Sequence, residues 1–237
     1  MDLISTLRTT GAVRAFEDRP VGREVMARVL DTARFAPNGG NQQAWRVVLV
    51  EDADVRAEIR DLYVPGWAEY LAQRADGVQP WAPIGDREAE AAAVARARAE
   101  LAAAAGSAET AEPAPGDFAA NFDKVPVMAV VLADLRLLAA TDRDLGRYTL
   151  VGGASIYPFV WSILLAGRAE GLAGVVTTMT VTREPEMKAL LSVPDEFAVA
   201  AVLAMGYPVK QPTRLTRQPI ETFATIDSFD GTPLTSP

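Results

Sequence analysis

The chain has 237 residues, with 31 acidic and 23 basic side chains, a net charge of -8, and neither cysteine nor histidine. That length supports one domain with a substantial core, and a composition 49% hydrophobic and 23% charged excludes global disorder. Without His or Cys there is no Ser-His-Asp or Cys-His catalysis, no zinc finger, no thiolate-ligated cluster and no histidine metal site.

What remains is carboxylate, Lys/Arg or Tyr chemistry, backbone dipoles, an oxygen-ligated metal, or a cofactor that brings its own reactivity. The acidic balance, with no dense basic run, argues against a nucleic-acid partner. The start, Met1-Asp2-Leu3-Ile4-Ser5, lacks a basic region followed by an apolar core, so no signal peptide is expected. Leu150 to Gly167 is strongly apolar. Gly152, Gly153, Ser155, Pro158 and Ser162 interrupt it, and it is read as a helix buried on all sides, not a membrane span. The expectation is a cytoplasmic protein.

In chain order, residues 2–9 predict a short helix capped by Asp2, and a second helix follows from about Gly22 to Ala36 with Val25, Val29, Leu30 and Ala33 on one face. Pro37-Asn38-Gly39-Gly40-Asn41 is a tight loop before a strand from Ala44 to Val50. A helix is expected from Ala53 to about Leu62. Composition then shifts. Trp67, Tyr70 and Trp81 sit in a Pro/Gly-punctuated stretch, followed by Ala/Glu/Arg-rich Asp86–Ala105 and a loose Ala111–Gly116. The Ala-rich piece has high helix propensity and few large apolar side chains, so it reads as an exposed surface helix or a lid over a site. Strands are expected at Val127–Ala133, Gly174–Met179 and Ala198–Met205, with helices at Gly153–Ala169 and Glu184–Leu191. Trp45 and Trp161 read as core, and Asp142-Arg143-Asp144 as a helix-entry charge set. Interleaved strands and helices suggest an α/β or α+β sandwich on one central sheet, in a single domain over 1–237.

Three segments look like parts of one site: Thr10 to Phe16, Ala36 to Trp45, and Glu170 to Thr178. Their order resembles the FMN-dependent nitroreductase family. That family opens with an Arg-Ser-x-Arg-x-Phe-like motif and an acid-x-Pro-Val element. It continues with Ala-Pro-Ser-Gly-Gly-Asn-x-Gln-Pro-Trp feeding a strand. Here these are Gly11-Ala12-Val13-Arg14-Ala15-Phe16, Asp18-Arg19-Pro20-Val21 and Ala36 to Trp45. Gly171-Leu172, the Thr177-Thr178 pair, Gly206-Tyr207-Pro208 and Arg217-Gln218-Pro219-Ile220 continue the likeness, and only about 64–123 has no counterpart. That insert is the candidate active-site lid.

The resemblance implies an α+β three-layer sandwich, a mainly antiparallel sheet flanked by helices, and an intertwined homodimer sharing two FMN sites across its interface. It implies electron transfer from NADH or NADPH to a nitroaromatic or quinone acceptor, with the chemistry carried by the flavin and no catalytic side chain or metal. FMN would contact Thr10, Gly11, Ala12, Arg14, Asn38, Gly39, Asn41, Val176, Thr177, Thr178, Arg214 and Arg217. The acceptor would meet Gly40; Trp67 and Tyr70, in the insert without a family counterpart, read either as the ceiling over the flavin that meets the acceptor or as core or dimer surface. The chain departs from the pattern at Gly11 and Ala12, where relatives place Arg and Ser for the phosphate, at Asn38 for Ser, and at Ala44 for Pro. Arg8, Arg214 or Thr10 would compensate. Two other readings stand beside this one: a non-catalytic flavin-binding or flavin-sequestering protein, and a deazaflavin-using relative.

Overall fold

A computed structural model describes residues 2–106 and 117–235; the expected loose stretch at 111–116 lies outside them. Helix α1 (Leu3–Thr9) begins where Asp2 Oδ2 accepts the Ser5 N–H at 2.9 Å, and α2 (Arg23–Ala33) follows. Four strands make one antiparallel sheet in the order β1-β2-β4-β3: β1 (Trp45–Val50), β2 (Val127–Asp134), β3 (Ala173–Thr177) and β4 (Phe197–Gly206). The remaining helices are α3 (Ala53–Ala75), α4 (Arg87–Gly106), α5 (Tyr157–Ala169) and α6 (Glu184–Leu190). This is the expected α+β sandwich. Among the described residues no helix is long and apolar enough to cross a membrane.

All eight residues of β2 are buried, because helices cover both faces of the sheet. Val127, Ala129, Val131 and Ala133 face α2 and α5, while Met128, Val130 and Leu132 face α3. In β4 the phase changes at a bulge opposite Val131/Leu132. Before it Phe197 and Val199 face the α3 side; after it Val202 and Ala204 do. One extra residue switches every later side chain to the other face, so the bulge keeps the whole strand apolar on both sides.

Three expectations are corrected. Helix α3 does not stop near Leu62; it runs 23 residues, through Pro65. Proline removes one backbone donor and disfavours helix at its predecessor. Even so, Ile59, Tyr63, Gly66, Glu69 and Gln73 form one continuous buried face that keeps the helix going. Helix α5 is not buried on all sides, and Trp161 is not core: Tyr157 and Trp161 are exposed on one face, while Trp45 stacks on Phe159 at 4.4 Å. Asp142 is no simple entry charge. It is buried at 2% exposure and ties its loop together, accepting from Arg147 Nη1 at 2.7 Å and from the Leu150 N–H at 2.8 Å.

Candidate functional site

The first and third segments meet at the edge of β3. Ala12 bridges Gly174 in parallel, and the Val13 N–H donates to the Gly174 carbonyl at 3.0 Å. The chain leaving β4 joins them: Glu17 N–H donates to Tyr207 O, Val209 N–H to Ala15 O, and Gln211 Nε2 to Thr9 O. Residues 9–17, 174–178 and 207–217 are therefore one assembly, reached from three distant parts of the sequence.

Within it, Arg14 is exposed and its guanidinium stands over the rings of Trp67 and Phe118, at 5.7 and 5.8 Å. No carboxylate pairs with it among the described residues. Trp67 continues an aromatic ladder along α3: Phe122 stacks on Tyr63 at 4.1 Å, Tyr63 on Trp67 at 6.1 Å, and Trp67 on Tyr70 at 5.4 Å. The Tyr63 phenol is pushed up by burial, against the opposing pull of its hydrogen bond with Thr177 and of the Arg14 charge. Thr177 is buried at the end of β3, Val176 is half-buried beside it, and Thr178 is exposed just beyond. An open cleft of about 780 Å³ begins at Arg14 and runs past Phe16, Arg19 and Phe118.

The phosphate end expected at residues 10–12 is bare. The Thr10 hydroxyl is spent on the Thr6 carbonyl at 2.8 Å. Ala12 has no donor beyond its backbone, and Leu215 fills the space over Gly11, where a Cβ would come within 2.7 Å of Leu215 Cδ2. Arg214 and Arg217 are exposed on the adjoining tail, and Arg217 Nη1 donates to its neighbour's carbonyl, Thr216 O, at 2.7 Å.

The second segment lies elsewhere. Gly40 and Asn41 take positive φ (60° and 53°), Asn38 Oδ1 accepts the Gln43 N–H at 2.8 Å, and the Gly39 N–H donates to Ser155 Oγ at 3.0 Å. This loop enters β1 at the opposite edge of the sheet from β3. Three strand spacings across and about four residues along separate Trp45 from Thr177, roughly 20 Å. One chain does not close the three segments into a single site.

Three residues of this region were not singled out from sequence. Tyr63 would have been visible four residues before Trp67 had the helix been extended past Pro65. Phe118 carries no pattern of its own, and Arg168 lies in an apolar helix where a lone cation reads as solvated. Among the described residues no group of acidic side chains is arranged to hold a metal.

The ring end fits a flavin: a guanidinium with no carboxylate partner among the described residues, an exposed threonine just past a strand end and aromatic faces on one side. Comparison with known proteins points the same way. The model of the Nitroreductase family matches residues 7–207. A 5,6-dimethylbenzimidazole synthase of Rhodospirillum rubrum is 30% identical over 204 residues, covering 83% of this chain and 77% of that protein. A BluB-like flavoprotein from Clostridium difficile 630 superposes with a TM-score of 0.65 at 18% identity, over 96% of this chain and 100% of the other. The FMN and NADPH-dependent nitroreductase NfnB from Sphigopyxis sp. strain HMH does so with a TM-score of 0.61 at 22% identity, over 97% and 100%. With the family model matching residues 7–207, a span that includes Arg14 and Gly174, the chain belongs to the nitroreductase family, whose members are oxidoreductases.

Proposed function

We propose that this chain is an FMN-dependent oxidoreductase that takes electrons from NADH or NADPH and delivers them, by a ping-pong mechanism, to an electron-poor acceptor of the nitroaromatic or quinone type. The observation that carries this is Arg14, a cation over the faces of Trp67 and Phe118 that has no carboxylate partner among the described residues. Bound FMN would supply the two-electron exchange. Arg14 would place positive charge where the reduced ring gathers negative charge. Val176, Thr177 and Thr178 would line the ring edge, with Arg214 and Arg217 toward the phosphate. Trp67 and Tyr70 would offer flat faces to the acceptor and exclude water from it.

The protein would work as a homodimer. A second copy is what can bring Asn38, Gly39, Gly40 and Asn41 to a site otherwise roughly 20 Å away, given the strand spacing. We place it in the cytoplasm, where reduced nicotinamide is supplied. Steady-state rates with NADPH and a quinone test the reading: parallel double-reciprocal lines are expected, and intersecting lines would contradict the two-step exchange.

The bare turn at Thr10–Ala12 favours one second reading, a flavin-binding protein that does not turn over. It would give a yellow protein whose flavin NADH and NADPH both fail to reduce.

A further inference from the structure

Arg168, in the last turn of α5, is a half-buried guanidinium with almost nothing to bind. Its Nη2 donates to Thr9 Oγ1 over a long 3.3 Å, and its Nε is closed off from solvent with no acceptor. No carboxylate lies within ion-pair distance of it among the described residues. Burial lowers its pKa with no opposing contribution. Arg56, the other arginine that burial shifts downward, differs: its guanidinium donates to the carbonyls of Val50, Asp123 and Val125. A buried donor without a partner is destabilising, more so when charged, so this one is poised for an acceptor that the described residues do not provide.

Its position narrows the acceptor. Thr9 immediately precedes the bare turn at Thr10–Ala12. Gln211 reaches the same threonine from the tail, with its Oε1 also buried and unpartnered. The tail then passes Gly11 at Leu215 and arrives at Arg217 two residues later. With Nε enclosed and Nη2 on Thr9, the Arg168 Nη1 is the donor that a phosphate oxygen can reach, in a charge-assisted hydrogen bond. A phosphate carrying a proton or a bound water would also give Gln211 Oε1 a donor.

We infer that Arg168 is a cation that receives the flavin's phosphate in this chain, beside Arg214 and Arg217, replacing the arginine and serine absent at positions 11 and 12. This rests on the flavin reading above. The two are separated by titrating the flavin-free protein with FMN and with riboflavin, which differ only by the phosphate. For the wild type, FMN should bind more tightly than riboflavin. Arg168→Met should weaken FMN binding tenfold or more and leave riboflavin binding as it was, collapsing the preference. Arg168→Lys, which keeps the charge, should recover part of it. Inorganic phosphate should compete with FMN in the wild type and not in Arg168→Met. An unchanged FMN preference in Arg168→Met would overturn the assignment, as would equal loss of both flavins, which marks a structural arginine. If the wild type bound neither flavin, the flavin reading itself would fall, and this inference with it.

Discussion

Arg14 sits on aromatic faces, so its orientation is set without neutralising its charge. Arg14→Met should therefore keep flavin bound and lower its reduction potential, measured against a reference dye; an unchanged potential would remove Arg14 from the ring edge. Asp142 works by the opposite principle. The Leu150 N–H holds its carboxylate below the usual range against the cost of burial, with Arg147 adding to the effect. A carboxylate depressed in the folded state contributes stability above its unfolded value of about 3.9, and that contribution is lost as pH falls through the lower native value. The stability gap between wild type and Asp142→Asn should thus be widest near neutrality and narrow progressively below about pH 4. Denaturant melts across that range would show it, and a constant gap would contradict it.

At the scale of elements, strands and short helices were legible because their signals are local. The Val47-Val48-Leu49-Val50 run and the Asp2 cap needed nothing from the rest of the fold. Helix α3 was not legible past Leu62, because Pro65 is a local stop signal that only tertiary burial of Tyr63, Gly66 and Glu69 overrides. Gly66 lies so close to the turn after β3 that a Cβ there would meet Met179 O at 2.6 Å. Glu69, 2% exposed, draws Arg98 of α4 to 2.8 Å and Arg183 of that turn to 3.4 Å. Helix α4 has few large apolar residues, yet Ala93 and Ala97 are buried and let it approach α3 closely. Trp67 and Tyr70 are thereby presented from a braced helix, beside Arg14. Under the proposed function, Trp67→Ala and Tyr70→Ala should change acceptor selectivity and apparent affinity while flavin content and the rate of flavin reduction stay close to wild type. Stopped-flow separation of the two half-reactions measures this. Joint loss of flavin and dimer would make the pair structural.

For the whole molecule, the decisive feature is the placement of site segments on opposite edges of one sheet. The motif order in the sequence was enough to suggest a shared site, but strand order is a tertiary property, and only β1-β2-β4-β3 shows that one chain leaves the segments apart. Large apolar residues are exposed on α5 and beside it. Tyr157 and Trp161 lie open on α5, and Leu3, Phe35 and Leu165 line a groove of about 640 Å³ between α1, α2 and α5. Beyond β4 the tail keeps Phe223 and Phe229 exposed at 69% and 94%. A stable dimer formed on these surfaces should bury about 2,000 Å² or more. Sedimentation should find dimers at micromolar concentration, and a folded monomer carrying flavin would contradict that assembly.

Under the proposed function, the assembly around Arg14 holds a flavin that reduced nicotinamide can reduce. The visible absorption spectrum of the purified protein, recorded before and after anaerobic NADH or NADPH, tests it most directly. A flavin band is expected that one of the two reductants bleaches and that returns when a quinone is added. A protein that takes up no flavin, or a flavin band that neither reductant changes, would contradict it.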